Sequence, residues 1–248
     1  MKDQEYSIPV EKRLLVLVEG KEDLYTLSNH TGKRPGFEAI HFYPYAEAEW
    51  QQKRGDDALR YALQELRKQP NFIDSIRAVG VLCDADAVPP GKTTAKAATT
   101  AHVQSALRSV GWAAPAAPGQ WIPNSSADMP SLKWVGFLVI PPNRDSGCLE
   151  SMLWESLSDK VSNRKGCAEG MLKCVEPYYA KEFPGRVEQP NHENWRDKVR
   201  VHALLAGSEE PQTHTTNATL KGYWNFEAEG LAAVLAFLRE GQRRSLES

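Results

Sequence analysis

The chain has 248 residues, of which 41% are hydrophobic and 25% charged, and its formal net charge at pH 7 is −2. These values are typical of a globular protein with one large domain, or with a core domain and an appended piece. No apolar run approaches the ~18 residues of a membrane span, and no secretory signal is visible. The four cysteines include no C-x-x-C pair, so reduced thiols and a cytoplasmic location are expected.

In chain order, the sequence predicts alternating strands and helices. It begins with a strand at residues 14–18, a helix at 21–29, a strand at 39–43, a helix at 46–69 that ends at Pro70, and a strand at 76–83. It continues with a helix at 94–110, a loop at 113–133, a strand at 135–140 and a helix from Gly147 onward. Apolar strands that alternate with helices indicate an α/β fold with a mostly parallel, four-stranded sheet flanked by helices.

The last third of the chain has a helical pattern. Apolar residues recur at helical spacing in residues 168–182, 192–206 and 228–240. We therefore expect a core domain at residues 13–160 and a helical C-terminal extension, residues 161–248, packed on it.

Acidic residues follow three of the predicted strands. Glu19 comes directly after the first strand, and Asp23 lies four residues later. Asp84 and Asp86 follow the third strand, and Glu150 begins the helix after the fourth. Because ligands of open α/β sheets bind outside the carboxyl ends of the strands, we expect these carboxylates to share one edge.

Clustered carboxylates repel one another, so a cation is expected among them. Mg²⁺ prefers oxygen ligands and is usually held by one or two carboxylates while it keeps waters for a phosphate, and Mn²⁺ suits the same ligands. Two such ions would clamp the attacking and leaving oxygens of a phosphoryl displacement. Bound cations would also let a chain of net charge −2 accept a polyanion, so nucleic-acid binding is expected to depend on metal.

Three of these acids also have a purely structural interpretation. Glu19 suits a strand-to-helix turn close to a helix N-terminus, where negative charge is favourable. Asp84 suits a helix N-cap, and Asp86 suits a turn before Pro89 and Pro90. The order of these acids, each after a buried strand, favours the metal-binding interpretation.

Two segments of the chain resemble the Toprim domain of topoisomerases, DnaG-type primases and the OLD and RecR families. They are VEGKED at residues 18–23 and LCDAD at residues 82–86. The Toprim pattern is a strand that ends in Glu-Gly, followed by a later strand that ends in Asp-x-Asp. The resemblance covers about residues 13–157 and implies a Rossmann-like core with Mg²⁺-dependent cleavage, joining or synthesis of phosphodiester bonds.

The resemblance also implies roles for single residues. By position, Glu19 is the Toprim glutamate, which is a general acid/base or a metal ligand, and Asp84 and Asp86 are the metal-binding pair. Asp23 resembles the second acid of the OLD-type nucleases.

Those nucleases also use a later serine and glutamate. Ser146 and Glu150 are the best candidates here, and Asp145 lies in the same turn. From Gly147 the chain is similar to stand-alone Toprim-like proteins.

Other motifs give weaker indications of function. Gly91-Lys92-Thr93 lacks the first glycine of a Walker A loop, which excludes that mode of ATP binding, but Lys92 remains a candidate for contacting a substrate phosphate. The six histidines show no metal-ligand spacing, so core or surface roles are expected for them.

Three functional hypotheses follow from the residues and the resemblance. The first is a Mg²⁺- or Mn²⁺-dependent nuclease or related phosphotransferase acting on DNA or RNA. The second is a Toprim-like subunit that is inactive alone and works with a separate ATPase chain, since OLD proteins carry an ATPase ahead of the Toprim domain. The third is a catalytically silent structural domain, against which the intact set of acids argues.

Overall fold

The computed structural model describes residues 9, 11–32, 34–46, 57–85, 94–184, 192–208 and 214–247. Its strands form one five-stranded sheet in the order β2-β1-β3-β5-β4. They are β1 (Leu14–Val18), β2 (Ile40–Pro44), β3 (Ala78–Asp84), β4 (Trp121–Pro123) and β5 (Trp134–Ile140).

The strand β1 lies inside the sheet, and all five of its side chains are buried. It runs parallel to both neighbours, so that Leu14 faces Ile40 in β2 and Ala78 in β3. Its continuous apolar pattern arises because a parallel strand is covered on both faces. The expected α/β class with a mostly parallel sheet is confirmed.

The prediction of four strands was wrong, because β4 adds a fifth. This strand lies within residues 113–133, which we expected to be a loop, and it pairs with β5 in antiparallel register. It has only three residues, too few for apolar alternation to reveal it.

Ten helices are assigned within the described residues. Those before the last strand are α1 (Lys21–Thr31), α2 (Asp57–Leu66), α3 (Pro70–Ser75) and α4 (Ala95–Ser109). Those after it are α5 (Leu149–Glu155), α6 (Asp159–Ser162), α7 (Lys165–Glu182), α8 (His192–Ala206), α9 (Thr215–Leu220) and α10 (Glu229–Leu246).

The predicted helix at residues 46–69 is shorter in the structure, where α2 ends at Leu66; residues 47–56 lie outside the described part of the chain. Pro70 does not follow the end of that helix directly but begins α3. The first helical position has no N–H to donate within the helix, so proline is well tolerated there.

The chain divides into two compact units. The first, here called the sheet unit, comprises residues 1–83, 99–139 and 234–248. The second, here called the helical unit, comprises residues 84–98 and 140–233. The sequence predicts a different division, into residues 13–160 and 161–248, because the pattern of secondary structure changes there. That division stays a prediction.

In the sheet unit, the indole of Trp121 fills a space that glycines leave open. Its ring stacks on Phe237 with centroids 4.7 Å apart, and its N–H donates to the carbonyl oxygen of the same residue at 3.1 Å. A Cβ atom added to any of three glycines would approach the indole within 3.0 Å or less. These are Gly80 in β3, Gly136 in β5 and Gly241 in α10.

The helical unit is held partly by ionic contacts. Asp197 in α8 is 5% exposed and pairs with Arg200 at 2.7 Å and with Arg144 at 3.7 Å. Arg200 and Lys165 also lie over the ring of Trp154, at 5.9 and 5.4 Å from its centroid. Such contacts with an aromatic face stabilise a cation that burial would otherwise penalise.

Across the described residues, we find no helix with both the length and the apolar character needed to cross a bilayer.

Candidate functional site

In the sheet unit, the predicted acids Glu19 and Asp23 lie at the junction of β1 and α1. Glu19 directly follows β1 and is half-buried. Its main-chain carbonyl accepts a hydrogen bond from the N–H of Ala46 at 3.0 Å, which ties the segment after β1 to the segment after β2. The Glu19 backbone is thus fixed at the carboxyl end of the sheet.

Asp23 serves the helix that follows. Its Oδ2 atom accepts a hydrogen bond from the N–H of Gly20 at 2.9 Å, as the third helical residue of a capping box does. One carboxylate oxygen of Asp23 therefore has a structural role at the start of α1.

The predicted acid Asp84 is the last residue of β3. Because β1 and β3 are adjacent parallel strands, their carboxyl ends lie at the same edge of the sheet. The preceding residue, Cys83, is buried, and its sulfur lies 3.2 Å from the hydroxyl of Tyr45. The packing of Cys83 therefore fixes the end of β3 directly before Asp84.

In the helical unit, backbone hydrogen bonds join the end of β3 to the loop before α5. The N–H of Ala85 donates to the carbonyl of Ile140 at 2.7 Å, and the N–H of Gly147 donates to the carbonyl of Ala85 at 2.8 Å. Gly147 has φ +139°, a region that favours glycine, and a Cβ there would lie 2.7 Å from Pro141. The loop before α5 therefore requires a glycine at position 147, where it passes beside the end of β3.

The helix α5 begins at this junction. Its N-cap residue is Cys148, whose N–H donates to the Ser151 hydroxyl at 3.2 Å. Glu150 lies in the first turn, where the positive end of the helix dipole favours a carboxylate.

The charges of Asp84 and Glu150 both act on the thiol of Cys148. This side chain has no exposed surface, and its burial is the largest cause that raises its pKa above the usual range. The negative charges of Glu150 and Asp84 raise the pKa further. Two of the predicted metal ligands, distant in sequence, therefore lie near one buried sulfur.

A histidine that sequence reasoning missed lies near Glu150. One imidazole nitrogen of His202, on α8, lies within 4.8 Å of one carboxylate oxygen of Glu150. His202 is exposed. Nothing in its sequence spacing marks it as a ligand, because only the packing of α8 on α5 brings it near.

The remaining candidates divide into two groups. Asp145 is exposed, Ser146 is half-buried, and the main-chain carbonyl of Asp145 accepts the N–H of Lys96 at 2.9 Å. Asp86 and Lys92 lie outside the described residues, so their predicted roles stay predictions.

Within the helical unit, Glu150 and His202 offer a carboxylate oxygen and an imidazole nitrogen within 4.8 Å of each other, which is a partial donor set for a divalent cation. A search against protein-family models matches residues 13–241 to a family described as "Protein of unknown function (DUF3226)". No curated protein and no solved structure matches the chain significantly.

Proposed function

This chain belongs to the DUF3226 family, and we propose that it carries out Mg²⁺- or Mn²⁺-dependent phosphodiester chemistry on nucleic acid, as a nuclease. The observation that carries the proposal is the convergence of Asp84 and Glu150, because the backbone hydrogen bonds of Ala85 with Ile140 and Gly147 bring the end of β3 to the start of α5. Asp84 belongs to the pair that the Toprim resemblance assigns to metal binding, and Glu150 belongs to the acids that are expected to hold a cation because of their place after the strands. The convergence supports that assignment.

The electrostatics of this region favour a cation. Two carboxylates that share a partly buried space repel each other, and a divalent ion relieves this repulsion. Asp84 and Glu150 would be the oxygen ligands, and the nearby His202 would add a nitrogen. Mg²⁺ takes oxygen ligands almost exclusively, whereas Mn²⁺ also accepts imidazole, so this set favours Mn²⁺.

A bound divalent ion would supply charge stabilisation to the phosphate undergoing substitution. Glu19, which follows β1, would act as the general acid/base that the Toprim resemblance assigns to it. Its fixed backbone and half-buried side chain are consistent with a residue that moves a proton at a defined place.

Metal binding is tested first, without any reaction. Titration calorimetry with MnCl₂ on the full chain should detect binding that Asp84→Asn and Glu150→Gln each weaken at least tenfold. Each lost charged ligand removes a strong ionic interaction, and a tenfold change corresponds to about 1.4 kcal/mol.

Two variants serve as matched controls for the loss of charge. Glu229 is an exposed acid in the first turn of α10, and Asp159 is an exposed acid in the first turn of α6. Glu229→Gln and Asp159→Asn should bind Mn²⁺ like the original chain. A loss of binding in these controls would indicate a nonspecific charge effect.

Activity is tested second, on single- and double-stranded DNA and RNA with Mn²⁺ or Mg²⁺. Cleavage should disappear with a chelator and in the double variant Asp84→Asn/Glu150→Gln, and the two control variants should retain it. Cleavage that persists in the double variant would contradict the proposal. Mn²⁺ binding without cleavage would instead favour the partner-dependent subunit.

A further inference from the structure

Three cationic residues stand side by side at the amino ends of adjacent strands in the sheet unit. Arg13 directly precedes β1, Arg77 precedes β3 and Lys133 precedes β5. Main-chain hydrogen bonds fix this alignment: the N–H groups of Arg77 and Lys133 donate to the carbonyls of Arg13 and Arg77, each at 2.8 Å. The row lies at the end of β1 opposite to Glu19.

The three residues line one cavity of about 260 Å³. The last turn of the chain supplies the rest of the lining, with Ser245, Leu246 and Glu247. Ligand pockets begin at roughly 300 Å³. This cavity is therefore suited to a small anion, or to one charged end of a larger molecule.

The positive charge of the cavity is not neutralised within the described part of the chain, where Arg13, Arg77 and Lys133 form no ion pair. The one acid in the lining, Glu247, is already paired with Arg243 and with Arg244. The cavity thus carries three cations whose charge an incoming anion would meet.

The two arginine side chains are held in place by backbone carbonyls near the end of α3. Arg13 donates from Nη1 to the carbonyl of Ser75 at 3.1 Å, and Arg77 donates from Nη1 to the carbonyl of Asp74 at 3.0 Å. A guanidinium has five N–H donors, so donors remain for a ligand. Anchored guanidinium groups lose less entropy when they bind an anion.

We infer that this cavity binds a phosphate monoester, either a small free phosphate or the terminal phosphate of a nucleic-acid strand. A monoester carries close to two negative charges at neutral pH and offers three strong acceptor oxygens. Arginine binds phosphate through paired N–H donors, and lysine adds a point charge. The inference involves none of the acidic residues of the proposed metal site, so the two proposals fail separately.

Binding is measured with the full chain in EDTA, so that divalent metals do not contribute. The probes are inorganic phosphate, a short 5′-phosphorylated oligonucleotide, and the same oligonucleotide with a 5′-hydroxyl. The phosphorylated strand should bind at least tenfold more tightly than the hydroxyl strand if the terminal phosphate is the ligand. If a small free phosphate is the ligand, inorganic phosphate should bind and the two strands should not differ.

Lys133→Gln is the principal variant, because this side chain is exposed and forms no ion pair within the described residues. It should weaken binding of the preferred probe about tenfold, as loss of a charge-assisted hydrogen bond does. Lys133→Arg should largely restore the affinity. Arg77→Gln should reduce binding at least as much, provided that its denaturation curve shows a folded protein.

Exposed cations elsewhere supply the matched controls. Lys173 in α7 and Arg108 in α4 are exposed. Lys173→Gln and Arg108→Gln should leave the affinity unchanged. The inference is overturned if no phosphate-bearing probe binds, or if Lys133→Gln and Arg77→Gln bind the preferred probe as tightly as the controls do.

Discussion

The N–H of Gly147 donates a hydrogen bond to the carbonyl of Ala85 at 2.8 Å. This bond fixes the start of α5 beside the residue that follows Asp84. Together with the hydrogen bond from Ala85 to the carbonyl of Ile140, it holds Glu150 near the end of β3. The main-chain hydrogen bond between Gly147 and Ala85 thus contributes to the positions of the Asp84 and Glu150 carboxylates.

Gly147→Ala should therefore both destabilise the protein and displace α5. The added Cβ would lie 2.7 Å from Pro141, and φ +139° is unfavourable for alanine. Urea denaturation should show a loss of about 1–3 kcal/mol in the free energy of unfolding, and Mn²⁺ affinity should fall.

Gly170→Ala is the matched control for this change, since Gly170 lies within α7 and a Cβ there meets open space. Alanine should stabilise that helix by up to about 1 kcal/mol. Equal stability of Gly147→Ala and Gly170→Ala would show that the junction tolerates a side chain.

His202 should determine the preference between metals. Imidazole is a poor ligand for Mg²⁺ and a suitable one for Mn²⁺, so His202→Gln should lower the affinity for Mn²⁺ more than for Mg²⁺. Calorimetric titration with each metal measures the ratio of affinities. The exposed histidine His214 provides the control variant His214→Gln, which should leave the ratio unchanged. An unchanged ratio in His202→Gln would remove His202 from the site.

The cysteines should separate into two reactive and two protected thiols. Cys167 and Cys174 are exposed, whereas Cys83 and Cys148 are buried. Burial and the charges of Glu150 and Asp84 raise the pKa of Cys148, so its reactive thiolate is scarce at neutral pH. Titration with Ellman's reagent should detect two thiols in the native protein and four in denaturant. Rapid labelling of Cys148 in the native state would contradict this arrangement.

The space around Trp121 should not tolerate a methyl group at Gly136. A Cβ there would lie 2.6 Å from the indole, whose ring is already stacked on Phe237. Gly136→Ala should lower the free energy of unfolding by about 1–3 kcal/mol, as overpacking of a core does.

A double-mutant cycle isolates the cause of that loss. If the clash with the indole is responsible, Gly136→Ala should cost less in a Trp121→Leu background than in the original chain. If the effects of the two substitutions are additive, the loss of stability arises from alanine in β5 and not from a clash with the indole.

Stability should fall as the pH decreases from about 6.5 to about 4. Burial is the main cause that lowers the pKa of both His30 and His41 from 6.5 to about 4, and positive neighbours contribute. In this pH interval the unfolded chain binds protons at these histidines and the folded chain does not, so protonation favours unfolding. Below about pH 4 both states are protonated, and this contribution stops changing.

Urea denaturation between pH 4 and pH 7 measures this dependence. The variant His41→Gln should show a shallower decrease, because one of the two groups is removed. The variant His214→Gln replaces an exposed histidine and should keep the original slope. Identical slopes for His41→Gln and the original chain would contradict the lowered pKa of His41.

Much of the fold could be predicted because burial leaves a clear pattern in the sequence. The strand β1 is covered on both faces, so all its residues are apolar, and its run was recognised at its observed bounds. The three-residue β4 leaves no such pattern, and it was missed. Pro70 was assigned to the end of a helix because its place at a helix start depends on the turn that precedes it.

The sequence by itself determined the strand ends and the acids that follow them, since chain order alone places Glu19 after β1 and Asp84 at the end of β3. Only the tertiary structure decided which distant residues meet. The proximity of Glu150 to His202, and the row formed by Arg13, Arg77 and Lys133, arise from helix packing and strand order. These depend on interactions between segments far apart in the chain, which local residue patterns do not encode.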